Sequence, residues 1–186
     1  MSPLSAAAVP SLGPLLADYA VRHPEHQSLA GRFLDFHASS ATVYMRTHPP
    51  GHFTASCWLV SGDGQRVLLT HHRKLGRWLQ LGGHADGETD LAQVALREAR
   101  EESGLDGLAV AAPIFDLDVH TIPARGSEPA HLHWDVRFVI QAGPDEHYAV
   151  SEESLDLRWW PVAVVAQAGL DDSLTRMAQR WLKRAV

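Results

Sequence analysis

Two stretches in the second half of the chain alternate strictly between apolar and polar side chains. Over residues 114–122, Phe115, Leu117, Val119 and Thr121 fall on one side and Asp116, Asp118 and His120 on the other. Over residues 131–140, Leu132, Trp134, Val136, Phe138 and Ile140 alternate with His131, His133, Asp135 and Arg137. A period of two marks a strand that buries one face and leaves the other polar. Earlier, residues 54–61 form a β-prone run, Asp63-Gly64 signals a turn, and residues 66–70 are a second apolar run, which together predict a hairpin. Residues 77–81 predict a short third strand ending at Gly82-Gly83, and residues 154–160 a further one.

Helical spacing governs the remainder. Residues 91–103 predict a helix stopped by Gly104, the residue type that best tolerates the left-handed conformation closing a helix. Leu174, Met177, Ala178, Trp181 and Leu182 recur at i, i+3, i+4, i+7 and i+8, the stripe of an amphipathic C-terminal helix. Residues 14–20 and 27–37 predict two helices ahead of the break at His48-Pro49-Pro50-Gly51. Residues 1–50 therefore read as an N-terminal helical extension packed on a main domain of residues 51–186. Strands interspersed with helices give an α/β class with a mixed sheet.

Composition narrows the choices further. The 186 residues carry a formal charge of −6, which argues against a general nucleic-acid or anionic-membrane binder. A small phosphorylated substrate stays open, because one metal ion reverses a local field. Cys57 is the single cysteine, so no internal disulfide forms. Residues 1–10 lack a basic segment followed by an apolar run, and no apolar stretch approaches a bilayer's thickness. The expectation is a cytoplasmic protein.

The helix over residues 91–103 holds the chemistry. Its stripe starts with Leu91, Val94 and Ala95 and continues at the same spacing with Glu98, Glu101 and Glu102. At about 100° per residue, these carboxylates lie within roughly 60° of one another. Like charges at that spacing repel, and burying them unpaired is costly. Either a cation sits there or the helix end faces solvent. Arg97 precedes Glu98 and can pin a carboxylate, and Gly82-Gly83 just upstream lets the backbone approach a ligand. Oxygen donors alone favour a hard cation, Mg²⁺ or Mn²⁺, over Zn²⁺.

The stretch GGHADGETDLAQVALREAREESGL, residues 82–105, resembles the Nudix box. Gly83, Arg97, Glu98, Glu101, Glu102, Gly104 and Leu105 match that pattern at its spacing, with Ala99 at its first apolar position. The pattern's first glutamate falls on Thr89, one residue after Glu88, and Glu88 or Asp86 is the substitute; Asp90 becomes the helix N-cap, with Gln93 as a capping-box partner. The resemblance implies an α/β/α sandwich with a mixed sheet over about residues 53–186. It also implies a pyrophosphohydrolase acting on a nucleoside diphosphate linked to another moiety. Glu98, Glu101 and Glu102, helped by the carbonyl of Gly82, would hold Mg²⁺ or Mn²⁺, and Arg97 would orient Glu98.

Further candidates surround this helix. Glu153, with Glu152 second, stands just before a predicted strand, where the family often draws another acidic ligand or base. His84 lies in the box loop, suited to touch a phosphate. Arg73 and Lys74, with His71 and His72, form the clearest local basic cluster. His133 and Asp135 share a strand face with His131 and can contact substrate or bind a metal. Trp78 and Trp134 can stack on a base or fill the core. Two other functions stay in view. An isopentenyl-diphosphate isomerase needs a catalytic cysteine, for which Cys57 in its apolar strand is a poor match, and a non-catalytic nucleotide-binding domain would bind without turnover. The partner is a small diphosphate, and a homodimer is compatible with the sequence.

Overall fold

The computed structural model describes residues 11–152 and 154–184. The absent leader pattern read over residues 1–10, and the acidic candidate Glu153, lie outside the described residues.

The elements follow in order: α1 (Leu12–Arg22), α2 (Gln27–Ser39), β1 (Gly51–Val60), β2 (Arg66–His72), β3 (Arg77–Leu79), β4 (Leu81–His84), α3 (Leu91–Ser103), β5 (Ala109–Ile122), β6 (His131–Gln141), β7 (Ser154–Pro161), α4 (Val162–Val165) and α5 (Asp172–Lys183). β1 is the hub of a mixed seven-stranded sheet. It is buried along its whole length because helices cover both of its faces and strands flank both of its edges. On one edge it runs parallel to β6, from Gly51↔Leu132 to Val60↔Gln141, and β6 in turn pairs antiparallel with β5. On the other edge Thr54–Cys57 pair antiparallel with β4, and only Val60↔Val67 joins β1 to β2. β2 carries β3 on one side and β7 on the other.

Two expectations change here. The strand expected over residues 77–81 breaks at Gln80 into β3 and β4, which pair with different neighbours, and Gly82-Gly83 lie inside β4 rather than beyond it. The hairpin of β1 and β2 keeps a single rung, because β4 occupies the edge of β1 that β2 would otherwise fill.

Side-chain alternation along β1 separates two cores. Phe53, Ala55, Cys57 and Leu59 enter the first, closed by α1, α2 and α3, where Leu16, Tyr19 and Phe33 are wholly buried. Trp58 and Val60 enter the second, closed by α4 and α5 through Val165, Leu174, Met177 and Trp181. Leu182, assigned to the C-terminal stripe, is exposed. The helices of residues 1–50 thus share a core with the main sheet: the Phe36 ring stacks on Trp134 at 4.3 Å, which makes Trp134 a core residue. No described helix is long and apolar enough to cross a membrane.

Candidate active site

On the face of β1 that carries Trp58 and Val60, the positions towards its start become Ser56, Thr54 and His52. Apolar packing under α5 therefore gives way to a polar cavity of about 970 Å³. Glu98, Glu101, Gly82, Gly83, His84, Lys74, His133 and Asp135, all singled out by sequence, line it.

α3 is fixed at both ends. The Asp90 carboxylate accepts hydrogen bonds from the amides of Ala92 and Gln93, both at 3.2 Å, and Gly104 closes the helix with φ 68°. Gln93 is not the capping-box partner expected: Glu88 accepts the Asp90 N–H at 2.9 Å. Asp86 instead pairs with Arg46 at 2.5 Å, and that hydrogen bond holds its carboxyl below the usual range. Both candidates for the displaced first glutamate of the box are therefore engaged away from Arg97. Arg97 donates to the His84 carbonyl at 3.0 Å and to Glu98 at 2.8 Å, so a backbone oxygen takes part of its bonding.

The three glutamates differ in setting. Glu102 is buried and accepts the Gly82 N–H at 2.8 Å. Glu98 packs against Gly83 so closely that a Cβ there would run into its carboxylate, and a Cβ on Gly82 would run into Ser56. Glu101 keeps 63% of its side chain exposed and lies 4.0 Å from Arg97. Glu98 and Glu102 thus set oxygen donors beside a backbone bare of side chains, a setting that fits a hard divalent cation.

Behind them lies a buried charge network. Asp135 accepts from Thr54 at 3.0 Å, Ser56 at 2.8 Å and Arg137 at 2.7 Å, so its carboxylate organises the cavity floor. Arg137, 2% exposed, also reaches Asp116 and Asp118, while Arg176 and Arg180 from α5 bind Asp116. Burial raises the Asp118 carboxyl, but the hydrogen bond to His120 and the charge of Arg137 outweigh it and hold the group at about 2. The strict alternation of β5 and β6 carried this information, although its polar face is a structural network as well as a cavity wall.

Arg73 and Trp78 lie elsewhere. Arg73 donates to the carbonyls of Glu152 and Ser154, clasping the chain on either side of residue 153. Trp78 stacks on His71 at 5.2 Å and packs edge-on to Trp160, because neighbouring residues of β3 point to opposite faces and Arg77 and Leu79 take the cavity side. Cys57 points into the first core, opposite Ser56. Sequence reasoning passed over His52, Thr54, Ser56 and Arg46. The first three share the period of Trp58 and were findable from it, whereas Arg46 has no local signal.

The fold and this glutamate helix define a class that sequence comparison also reaches. The NUDIX domain family model matches residues 50–181, and the chain belongs to that family, the Nudix hydrolases. A NUDIX-family hydrolase from Clostridium perfringens superposes with a TM-score of 0.52 at 24% identity, over 73% of this chain and 98% of that one. The E. coli dihydroneopterin triphosphate pyrophosphohydrolase gives 0.57 at 16%, over 71% and 95%. At these identities the likeness is one of fold. A curated octanoyltransferase from Myxococcus xanthus is 33% identical over 116 residues, 60% of this chain. The match spans 31% of that relative's length.

Proposed function

We propose that the protein is a pyrophosphohydrolase that splits the diphosphate of a nucleoside diphosphate linked to another moiety, with Mg²⁺ or Mn²⁺ held by Glu98, Glu101, Glu102 and the carbonyl of Gly82. The observation carrying this is the set of three carboxylates on one line of α3, with Glu102 tied to the Gly82 amide and Glu98 to Arg97. When bound, the metal supplies an activated water and offsets the diphosphate charge. Arg97 holds Glu98 in one orientation, and the bond from Gly82 to Glu102 keeps loop and helix in a fixed relation. Glu101, the most exposed of the three, is assigned to proton transfer, and Glu153 is kept as an added acidic group. His84 and Lys74 face the cavity and are assigned to the substrate, with His133 beside them on the cavity wall. Its volume of about 970 Å³ suits a small molecule rather than a polymer. The isomerase reading loses its nucleophile, since Cys57 is wholly buried and burial raises its thiol.

Phosphate release after phosphatase coupling, from a panel of nucleoside diphosphate derivatives with Mg²⁺ or Mn²⁺, tests the reading. Wild type is expected to turn over, with a fall of roughly 100-fold or more in Glu101→Gln and Glu102→Gln, the scale of losing one transition-state-stabilising group. Activity surviving in both variants would sink the mechanism. Metal binding without turnover on any compound would favour a binding domain.

A further inference from the structure

Five histidine rings meet at the start of β1. Register brings three together: His52 on β1 sits opposite His133 on β6, which sits opposite His120 on β5. His131 lies one pleat along β6 on the same face, and His84 enters from β4. The His52 ring centroid is 4.8 Å from His133, 5.1 Å from His131 and 5.1 Å from His84.

The nitrogens in this cluster are unusually placed. His52 is 1% exposed, yet neither of its ring nitrogens has a hydrogen-bond partner. A buried imidazole offers one N–H and one lone pair, and leaving both unmet is costly. His131 Nδ1 lies 2.9 Å from the Pro129 carbonyl. A carbonyl only accepts, so the Nδ1 carries the proton and the Nε2 lone pair accepts from His133, a proton that a bound metal would replace. That Nε2 is 3.3 Å from His133 Nε2. Two nitrogens each about 2.0–2.1 Å from one tetrahedral Zn²⁺ stand about 3.3–3.4 Å apart, the same separation. One nitrogen from each of His52, His131 and His133 lies within 4.8 Å of the other two.

We propose that His52, His131 and His133 form a second metal site, separate from the glutamates of α3, that binds Zn²⁺ or a similar borderline divalent transition ion. Three imidazoles suit such an ion and not Mg²⁺. Three protein donors leave a fourth position for water or a substrate oxygen. The bond from His131 to Pro129 is the outer contact that fixes a ligand's tautomer. Asp135, the carboxylate the sequence pattern offered as a partner, is not a ligand, because Thr54, Ser56 and Arg137 occupy it. The site stands independently of the reading of the glutamates.

The test uses the untagged full chain, stripped with a chelator and titrated with Co²⁺, then Zn²⁺, without Mg²⁺. One Co²⁺ per chain is expected, with the intense visible absorption of four-coordinate cobalt, lost when Zn²⁺ displaces it. Six-coordinate cobalt on carboxylates absorbs only weakly, so the two sites are distinguishable. His131→Gln and His133→Gln should each weaken binding by roughly 100-fold or more, since losing an outer contact alone costs 10–100-fold. Glu98→Gln should leave the absorption intact. His131 is only half-buried, so its variant is the folding control: its metal-free Tm should match wild type, while Zn²⁺ should raise the Tm of wild type alone. No four-coordinate absorption in wild type, its persistence in folded His131→Gln, or its loss in Glu98→Gln would overturn the proposal.

Discussion

Gly83 is held to its identity by a neighbour rather than by its own backbone angles, since its Cα faces the Glu98 carboxylate with no room for a methyl group. Gly83→Ala should therefore displace Glu98 while the helix stays folded. Because a misplacement of about 1 Å in a reacting constellation can cost about 100-fold, kcat should drop by that order while Tm moves by a few degrees. Paired turnover and melting measurements check this, and unchanged turnover would count against Glu98 as a working group. His52 gives a pH signature. Its folded value of about 4, against an ordinary 6.5, means that between those limits the unfolded chain takes up the proton and the folded chain does not. This contribution is fully present above pH 6.5 and is lost as pH falls through the interval, with a slope of at most about 1.4 kcal/mol per pH unit from this ring. Urea midpoints of metal-free protein should follow that trend, and His52→Asn should reduce the slope without abolishing it, because burial also lowers His84 and His133.

At the level of single elements, most of the architecture was legible because the informative signals were local. The bounds of α3 follow from Asp90 and Gly104, and the extents of β5 and β6 from their alternation. Asp90→Ala removes a cap that satisfies two amides and should destabilise the protein by about 1 kcal/mol, measured by denaturant unfolding. Pairing was not legible. Nothing within residues 77–84 says that Leu81–His84 leaves β2 to join β1, because that choice is made by Thr54–Cys57, far away in sequence. For the same reason the box glutamates and their arginine could be read directly, while the engagement of Asp86 by Arg46 and the meeting of His52 with His133 required the assembled sheet.

Across the whole molecule, α1 and α2 complete the first core instead of decorating it. Phe33 is wholly buried beside Phe53 and Trp134, so Phe33→Ala should cost about 3–5 kcal/mol by chemical denaturation, with turnover retained wherever the variant stays folded. The sheet itself is less continuous than its seven strands imply. β2, β3 and β7 form one ladder, β4, β1, β6 and β5 another, and a single rung at Val60 and Val67 joins them. Lys74 and Arg77 border the cavity from the first ladder, and Asp118 and His120 from the second. The gap between those walls is thus set less by backbone hydrogen bonds than by how Trp58, Val67, Leu69 and Met177 interlock beneath α5. Selectivity in such a protein can drift without any change among the residues that line the cavity: a methylene gained or lost in the distant packing resets the aperture, giving evolution a tuning screw outside the glutamate helix.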